Sequence, residues 1–186
     1  MLIDAQQSAL LVVDVQERLC PAIDDWQRVL DGVLWTVRVA QRLGVPVMAS
    51  EQYPKGLGPT QADLKALLPG GSIAAKLHFS CVQDGCLAGL PGSERPQVVV
   101  CGMETHVCVL QTVLDLVAAG KQVFVVADAV GSRTPENKAL GLARMRDAGA
   151  AVVSAEMVAF EWLRAAGTPL FREISRDFLR TGPNGF

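Results

Sequence analysis

The stretch QVVVCGMETHVCVLQTVLDLVAAGKQVFVVA, residues 97–127, passes through two periodicities and returns to the first. Gln97 to Cys101 is a continuous, largely β-branched run, the pattern of a strand buried on both faces. Val107 to Ala119 carries apolar residues at helical spacing and stops at Gly120, a helix terminator. Gln122 to Ala127 is strand-like again. Strand, helix and strand at this spacing form the βαβ unit of a parallel sheet.

Working outward, the same cadence continues. Ser8 to Val13 (SALLVV) reads as a strand. Asp24 to Leu43 repeats apolar residues at three and four (Trp26, Val29, Leu30, Val33, Leu34, Val37, Ala40) and closes at Gly44, followed by a second strand in VPVMAS, residues 45–50. The Pro/Gly-rich segment YPKGLGPT reads as a loop. Gln61 to Leu68 predicts a short helix ended by Pro69-Gly70-Gly71, Ile73 to Leu77 a third strand, and residues 81–90 another short helix. Asn137 to Ala148 predicts a helix closed by Gly149, Ala151 to Ser154 a sixth strand and Glu156 to Ala166 a helix. Part of the last fifteen residues also reads as helical, with a frayed ending TGPNGF. The expectation is a single α/β domain over residues 1–186, with helices on both faces of a mostly parallel six-stranded sheet and right-handed crossovers.

Composition narrows the function. The chain has 186 residues, 17 Lys+Arg against 19 Asp+Glu, five Cys and two His. That length closes a core without staples. A net charge of −2 with no basic cluster gives no electrostatic footprint for nucleic acid or an anionic membrane surface. Asp14, Glu17 and Arg18 interrupt the N-terminal apolar run, and no stretch reaches the roughly 18 apolar residues of a membrane span. The start MLIDAQQSALLVVDVQ has neither the basic region nor the cleavage site of a secretory signal, so a cytoplasmic location is expected. No CxxC pair is present, which disfavours structural zinc and thioredoxin-like chemistry.

In an open parallel sheet, ligands bind beyond the carboxyl ends of the strands. Three residues stand at those ends: Asp14 after LLVV, Lys76 after SIAA, and Cys108 in the turn after QVVVC. A carboxylate, an ammonium and a thiol are thus directed to one sheet edge. Thr105 is the expected N-cap of a helix beginning at His106, which puts Cys108 at its third position, where unpaired N–H groups and the positive helix end favour thiolate. Gly102 supplies freedom for the strand-to-helix reversal. Cys20, Cys81, Cys86 and Cys101 have no evident reason to ionise, Cys81 and Cys86 lacking basic or capping context, and read as packing residues.

These residues resemble the isochorismatase-like cysteine hydrolases, and the resemblance covers nearly the whole chain. It is carried by LLVVDVQ, SEQYPKGLGPT, AAKLHFS, VVVCGMETHVCVLQT and VVADAVGSR followed by ALGLARMRDAGA; EQYPKGLG and ETHVCVLQT resemble the isochorismatase domain-containing protein branch. The resemblance implies a three-layer, Rossmann-like isochorismatase-type fold. It also implies an Asp14, Lys76, Cys108 triad, a non-proline cis peptide at Met103-Glu104, and an oxyanion hole from the backbone N–H groups of Glu104 and Cys108. Homo-oligomers, dimeric or larger, are further implied. Nicotinamidases of the family carry an Asp-x-His pair and a further His around a metal; the corresponding Glu51-Gln52-Tyr53 lacks histidine, so no metal is expected and nicotinamide is disfavoured as substrate. Isochorismatases proper lack the nucleophilic thiol, so Cys108 argues for acyl transfer. The expected function is hydrolysis of a small amide or related C–N bond through a thioester, without a cofactor. A catalytically weak ligand-binding or scaffold protein is the alternative. Gln16, Tyr53, Phe79 and His106 are the expected substrate-binding residues, with Gln52 and the loop Lys55 to Pro59 placed to shape or lid the pocket.

Overall fold

The computed structural model describes residues 1–180, 182 and 183. Its centre is a six-stranded, wholly parallel sheet of β1 (Ser8–Val13), β2 (Val47–Gln52), β3 (Ile73–Lys76), β4 (Gln97–Met103), β5 (Gln122–Gly131) and β6 (Ala151–Val153), in the spatial order β3-β2-β1-β4-β5-β6. The order reverses between β1 and β4, which opens a crevice at the carboxyl ends of those two strands. The helices are α1 (Trp26–Arg42), α2 (Pro54–Leu57), α3 (Ala62–Lys65), α4 (Cys81–Asp84), α5 (Leu110–Ala118), α6 (Pro135–Asp147), α7 (Ala155–Leu163) and α8 (Pro169–Ile174). Among the described residues no helix is long and apolar enough to cross a membrane.

The central strands show why their sequences lack alternation. In β1, Leu10 and Val12 pack into the core shared with α1 and α7, whereas Ala9, Leu11 and Val13 pack into the core beneath α5 and α6. In β4, Val99 and Cys101 belong to the first core, Val98 and Val100 to the second. Both faces are covered, so after the opening Ser8 and Gln97 the positions are apolar in succession. Fully burying a Val or Leu contributes about 1.5–3 kcal/mol, and α1 alone seals Val33, Val37 and Val39 against solvent.

The boundaries differ from the sequence reading in instructive ways. The second strand starts two residues late, after Pro46, and runs on through Glu51 and Gln52 because these pair with Ala75 and Lys76 of β3. β4 and β5 extend to Met103 and Gly131 across a register shift near Cys101. The expected helix over 61–68 is only Ala62–Lys65, that over 81–90 only Cys81–Asp84, and a one-turn helix, α2, forms inside the expected YPKGLGPT loop. The helix after β4 opens as a π turn, Thr105–Val109, before α5. Thr105 therefore does not cap it: its hydroxyl is buried without a hydrogen-bond partner, and no side chain caps the turn. The expected fraying of TGPNGF falls on residues 181–186, of which 181 and 184–186 lie outside those described.

Gly102 holds the crevice together. It pairs with Val13, has φ +119°, and a Cβ there would lie 2.1 Å from the Val13 carbonyl oxygen. No side chain fits between β1 and β4 at this point, and no L-residue accepts this φ without strain. Gly102→Ala is accordingly expected to cost more than about 3 kcal/mol of stability; a shift in urea midpoint smaller than that implies would contradict the close approach.

Candidate active site

Asp14 follows β1 directly and takes a left-handed conformation, φ 50°, which aspartate tolerates better than most residues. Its side chain is fully buried. The carboxylate is held from two strands: Oδ1 accepts from Ser50 Oγ at 2.7 Å, Oδ2 from Lys76 Nζ at 2.7 Å. Ser50 stands beside Val13 in the parallel register, so the sheet itself delivers the hydroxyl.

Lys76 closes β3, and its side chain is also fully buried. Besides Asp14, Nζ donates to Gln52 Oε1 at 2.6 Å and the Phe79 carbonyl at 3.0 Å, with the His78 carbonyl at 3.4 Å. An ammonium has three N–H donors, and all three are engaged within the protein. Burial alone would lower its pKa, but the charge of Asp14 and the hydrogen bond to it outweigh burial and hold the ammonium above its ordinary range.

Cys108 sits in the π turn after β4 and is 6% exposed. Its thiol donates to Gln52 Oε1 at 3.9 Å and lies close enough to Asp14 and Lys76 to feel both charges. The three residues read from the strand ends are thus brought together. Their charge state differs from the expected helix-start thiolate. Burial first, and the Asp14 carboxylate second, push the thiol well above its usual range, with Lys76 opposing. The π turn also places Cys108 ahead of α5 rather than at a regular helix start. At rest Lys76 is an ammonium and Cys108 a neutral thiol.

The other expected site residues fall at different depths. Tyr53 and Phe79 are each about half exposed at the ends of β2 and β3, the Tyr53 N–H donating to the Lys76 carbonyl. His106 is half-buried and ties the π turn to the segment after β5 through Nδ1 and Ser132 Oγ at 3.0 Å. Glu104 does the same through Arg133. The Met103-Glu104 peptide is cis. Gln16 lies beneath the site: it is fully buried, and its carboxamide is spent on Gln52 N, Gln52 O and Gly58 O. Glu51 is likewise engaged, accepting from the Thr60 N–H and hydroxyl.

Three partners escaped the sequence reading. Ser50 was detectable only through the β1–β2 register. Arg133 reaches Glu104 across 29 residues. Cys81 does have a capping context, contrary to expectation: it opens α4 behind Ser80, whose hydroxyl accepts from the Val82 and Gln83 N–H groups. Cys86 Sγ lies against it, donating to the Cys81 carbonyl at 3.6 Å, and this neighbour is the main reason the Cys81 thiol is drawn down to about 7. Cys20, by contrast, is pushed up to about 11 by burial. A cavity of about 500 Å³ opens beside the end of β5, lined by residues including Asp24, Arg28, Asp128 and Lys138, but no triad residue lines it. Among the described residues no three His, Cys, Asp or Glu side chains converge as metal ligands.

The isochorismatase domain family matches residues 8–157. Isochorismatase domain-containing protein 2A of Mus musculus is 38% identical over 172 residues, 92% of this chain and 82% of that protein. Among solved structures, the MAR1 ribonuclease of Caenorhabditis elegans superposes with a TM-score of 0.85 at 32% identity, covering 95% of this chain and 91% of that one. YcaC of Pseudomonas aeruginosa, solved with hexane-2,5-diol and covalent acrylamide, superposes with a TM-score of 0.86 at 25% identity over 94% and 90% of the two chains.

A buried ion pair broken on one side leaves an uncompensated charge. Lys76→Met is expected to lower the unfolding free energy by about 3–5 kcal/mol. Adding Asp14→Asn should return part of that loss, as urea titrations of the single and double variants will report; additive losses would mean that the pair is not coupled.

Proposed function

The chain belongs to the isochorismatase domain family, and on that footing we propose that it hydrolyses a small amide, or a related C–N bond next to a carbonyl, through a thioester on Cys108. The observation that carries this reading is the single buried cluster in which the Asp14 carboxylate accepts from Lys76 beside a neutral Cys108 thiol, whose own hydrogen bond goes to Gln52 Oε1. Moving the thiol proton to Asp14 separates no new net charge. The site exchanges carboxylate and thiol for carboxylic acid and thiolate, with Lys76 adjacent to both, so the anion migrates within a fixed counter-ion's field.

Asp14 acts as general base, and Cys108 Sγ attacks the carbonyl carbon. The tetrahedral oxyanion is received by the backbone N–H groups of Glu104 and Cys108, on the turn anchored by the Glu104–Arg133 and His106–Ser132 contacts. Such donors contribute on the order of 10²–10³ in rate. The proton on Asp14 passes to the departing amine, the C–N bond breaks, and the thioester remains. Water then attacks with Asp14 again as base, releasing the acid and regenerating the thiol. No step calls for a cofactor. Lys76 has no N–H left for substrate, so its role is to hold the charge of Asp14 and of the transient thiolate. Tyr53 and Phe79, half exposed beside these groups, are the side chains proposed to meet the substrate.

The covalent acrylamide in Pseudomonas aeruginosa YcaC supports a nucleophile open to small electrophiles. A ribonuclease reading, raised by the name of the worm neighbour, has less support: Lys76 is buried and fully engaged, and the chain's net charge is −2.

The test compares wild type with Cys108→Ala and Asp14→Asn on a panel of small amides, with intact-mass detection of acyl or acrylamide adducts. Each substitution is expected to reduce turnover by a factor on the order of 10³ or more, and the adduct should map to Cys108. Turnover surviving in Cys108→Ala, or an adduct on another cysteine, would overturn the assignment; an inert Cys108 would favour the ligand-binding alternative.

A further inference from the structure

Gln52 lies between the triad's cation and its nucleophile. It is the last residue of β2, paired in register with Lys76, and is 8% exposed. Its carboxamide has one orientation available: Nε2 donates to the Leu77 carbonyl at 2.8 Å, which turns Oε1 toward Lys76 Nζ at 2.6 Å and toward Cys108 Sγ at 3.9 Å. Its backbone is clamped in turn. Gln16 Oε1 accepts from the Gln52 N–H at 2.8 Å, and Gln16 Nε2 donates to the Gln52 carbonyl at 3.0 Å. Two glutamines, one fully buried, are therefore committed to holding a single oxygen atom beside the ammonium.

We propose that Gln52 is a positioning residue for the triad: its neutral carboxamide oxygen anchors the Lys76 ammonium between Asp14 and Cys108 without contributing a charge of its own. The proposal rests on the cysteine-nucleophile reading above. The chemistry of the position supports it. Lys76 needs a third acceptor besides Asp14 and the Phe79 carbonyl, because an unpaired N–H in a fully buried ammonium is costly. A carboxylate at residue 52 would satisfy that N–H but would also compete with Asp14 for the one cation and repel the thiolate. An apolar side chain would leave the ammonium free to swing toward the Phe79 and His78 carbonyls. A neutral amide meets the need while reserving the full positive charge for Asp14 and the developing thiolate. The charged or titratable groups facing this cluster are Asp14 after β1, Lys76 on β3, Cys81 on α4 and Cys108 itself.

The experiment measures the rate of Cys108 alkylation by iodoacetamide against pH, with the adduct located by peptide mass, in wild type, Gln52→Glu and Gln52→Met. Thermal melts by circular dichroism identify which variants are folded. In Gln52→Glu the rising limb should move to higher pH by about one unit, a rate about tenfold lower at a given pH on that limb. In Gln52→Met it should move in the same direction by a smaller amount. A purely structural role would lower the melting temperature and leave the limb in place. If wild-type Cys108 reacts and the folded variants keep the wild-type pH dependence, Gln52 has no positioning role while the nucleophile reading stands. If wild-type Cys108 does not react at any pH at which the protein is folded, the nucleophile reading itself fails and takes this proposal with it. Should one variant not fold, the displacement or constancy of the limb in the other decides.

Discussion

The buried ion pair between Asp14 and Lys76 is the constraint from which the site's architecture follows. Taking two full charges out of water costs several kcal/mol per ion even after relaxation, and their mutual attraction offsets this only when the remaining donors and acceptors are also satisfied. Here they are. The carboxylate has Ser50 on one oxygen and Lys76 on the other, and the ammonium adds Gln52 and the Phe79 carbonyl. These partners come from the ends of β1, β2 and β3 and from the segment that follows β3. The ion pair forms because three adjacent parallel strands deliver their carboxyl ends to one edge of the sheet, and the sheet order of this fold places them there.

The fourth contributor arrives from the other side of the switch point. β4 lies against β1, and Gly102 allows the two backbones to approach so closely that no Cβ fits between them. The chain then reverses in a π turn and places Cys108 beside Asp14. That turn is not self-supporting: no side chain caps it, and its tethers, Glu104 to Arg133 and His106 to Ser132, reach the segment after β5. The resting thiol is neutral because burial and the neighbouring carboxylate both oppose its ionisation. A neutral thiol fits the proposed role, in which its charge is created only as it is used.

Much of the architecture was legible in the linear chain. SALLVV, QVVVC and QVFVVA lack alternation because both faces of each strand are covered, and that absence is itself a sequence signal. Asp14, Lys76 and Cys108 were recoverable because each follows such a run. Gln52 was read as a residue that shapes or lids the pocket; its place in β2 was hidden, because the extension of the strand through Glu51 and Gln52 depends on pairing with β3, more than twenty residues away in the chain. Gln16 has the same history. A glutamine just past a strand looks like a pocket wall until the packing shows its amide bonded to the backbone of residues 52 and 58.

What the sequence by itself determined is the layering, the parallel sheet and the placement of Asp14, Lys76 and Cys108 at one sheet edge, because these depend on local periodicity and on chain position relative to strand ends. What only the tertiary structure decided is the protonation of Cys108 and the hydrogen-bond network around it. A helix start predicted a thiolate, and burial supplied a thiol. Thr105 looked like a cap, and its hydroxyl is enclosed without a partner. Cys81 looked inert, and it opens a capped turn under the influence of Cys86. Each difference has one physical source: the free energy of a polar group depends on solvent exposure and on neighbours remote in sequence, and neither exists until the chain has packed.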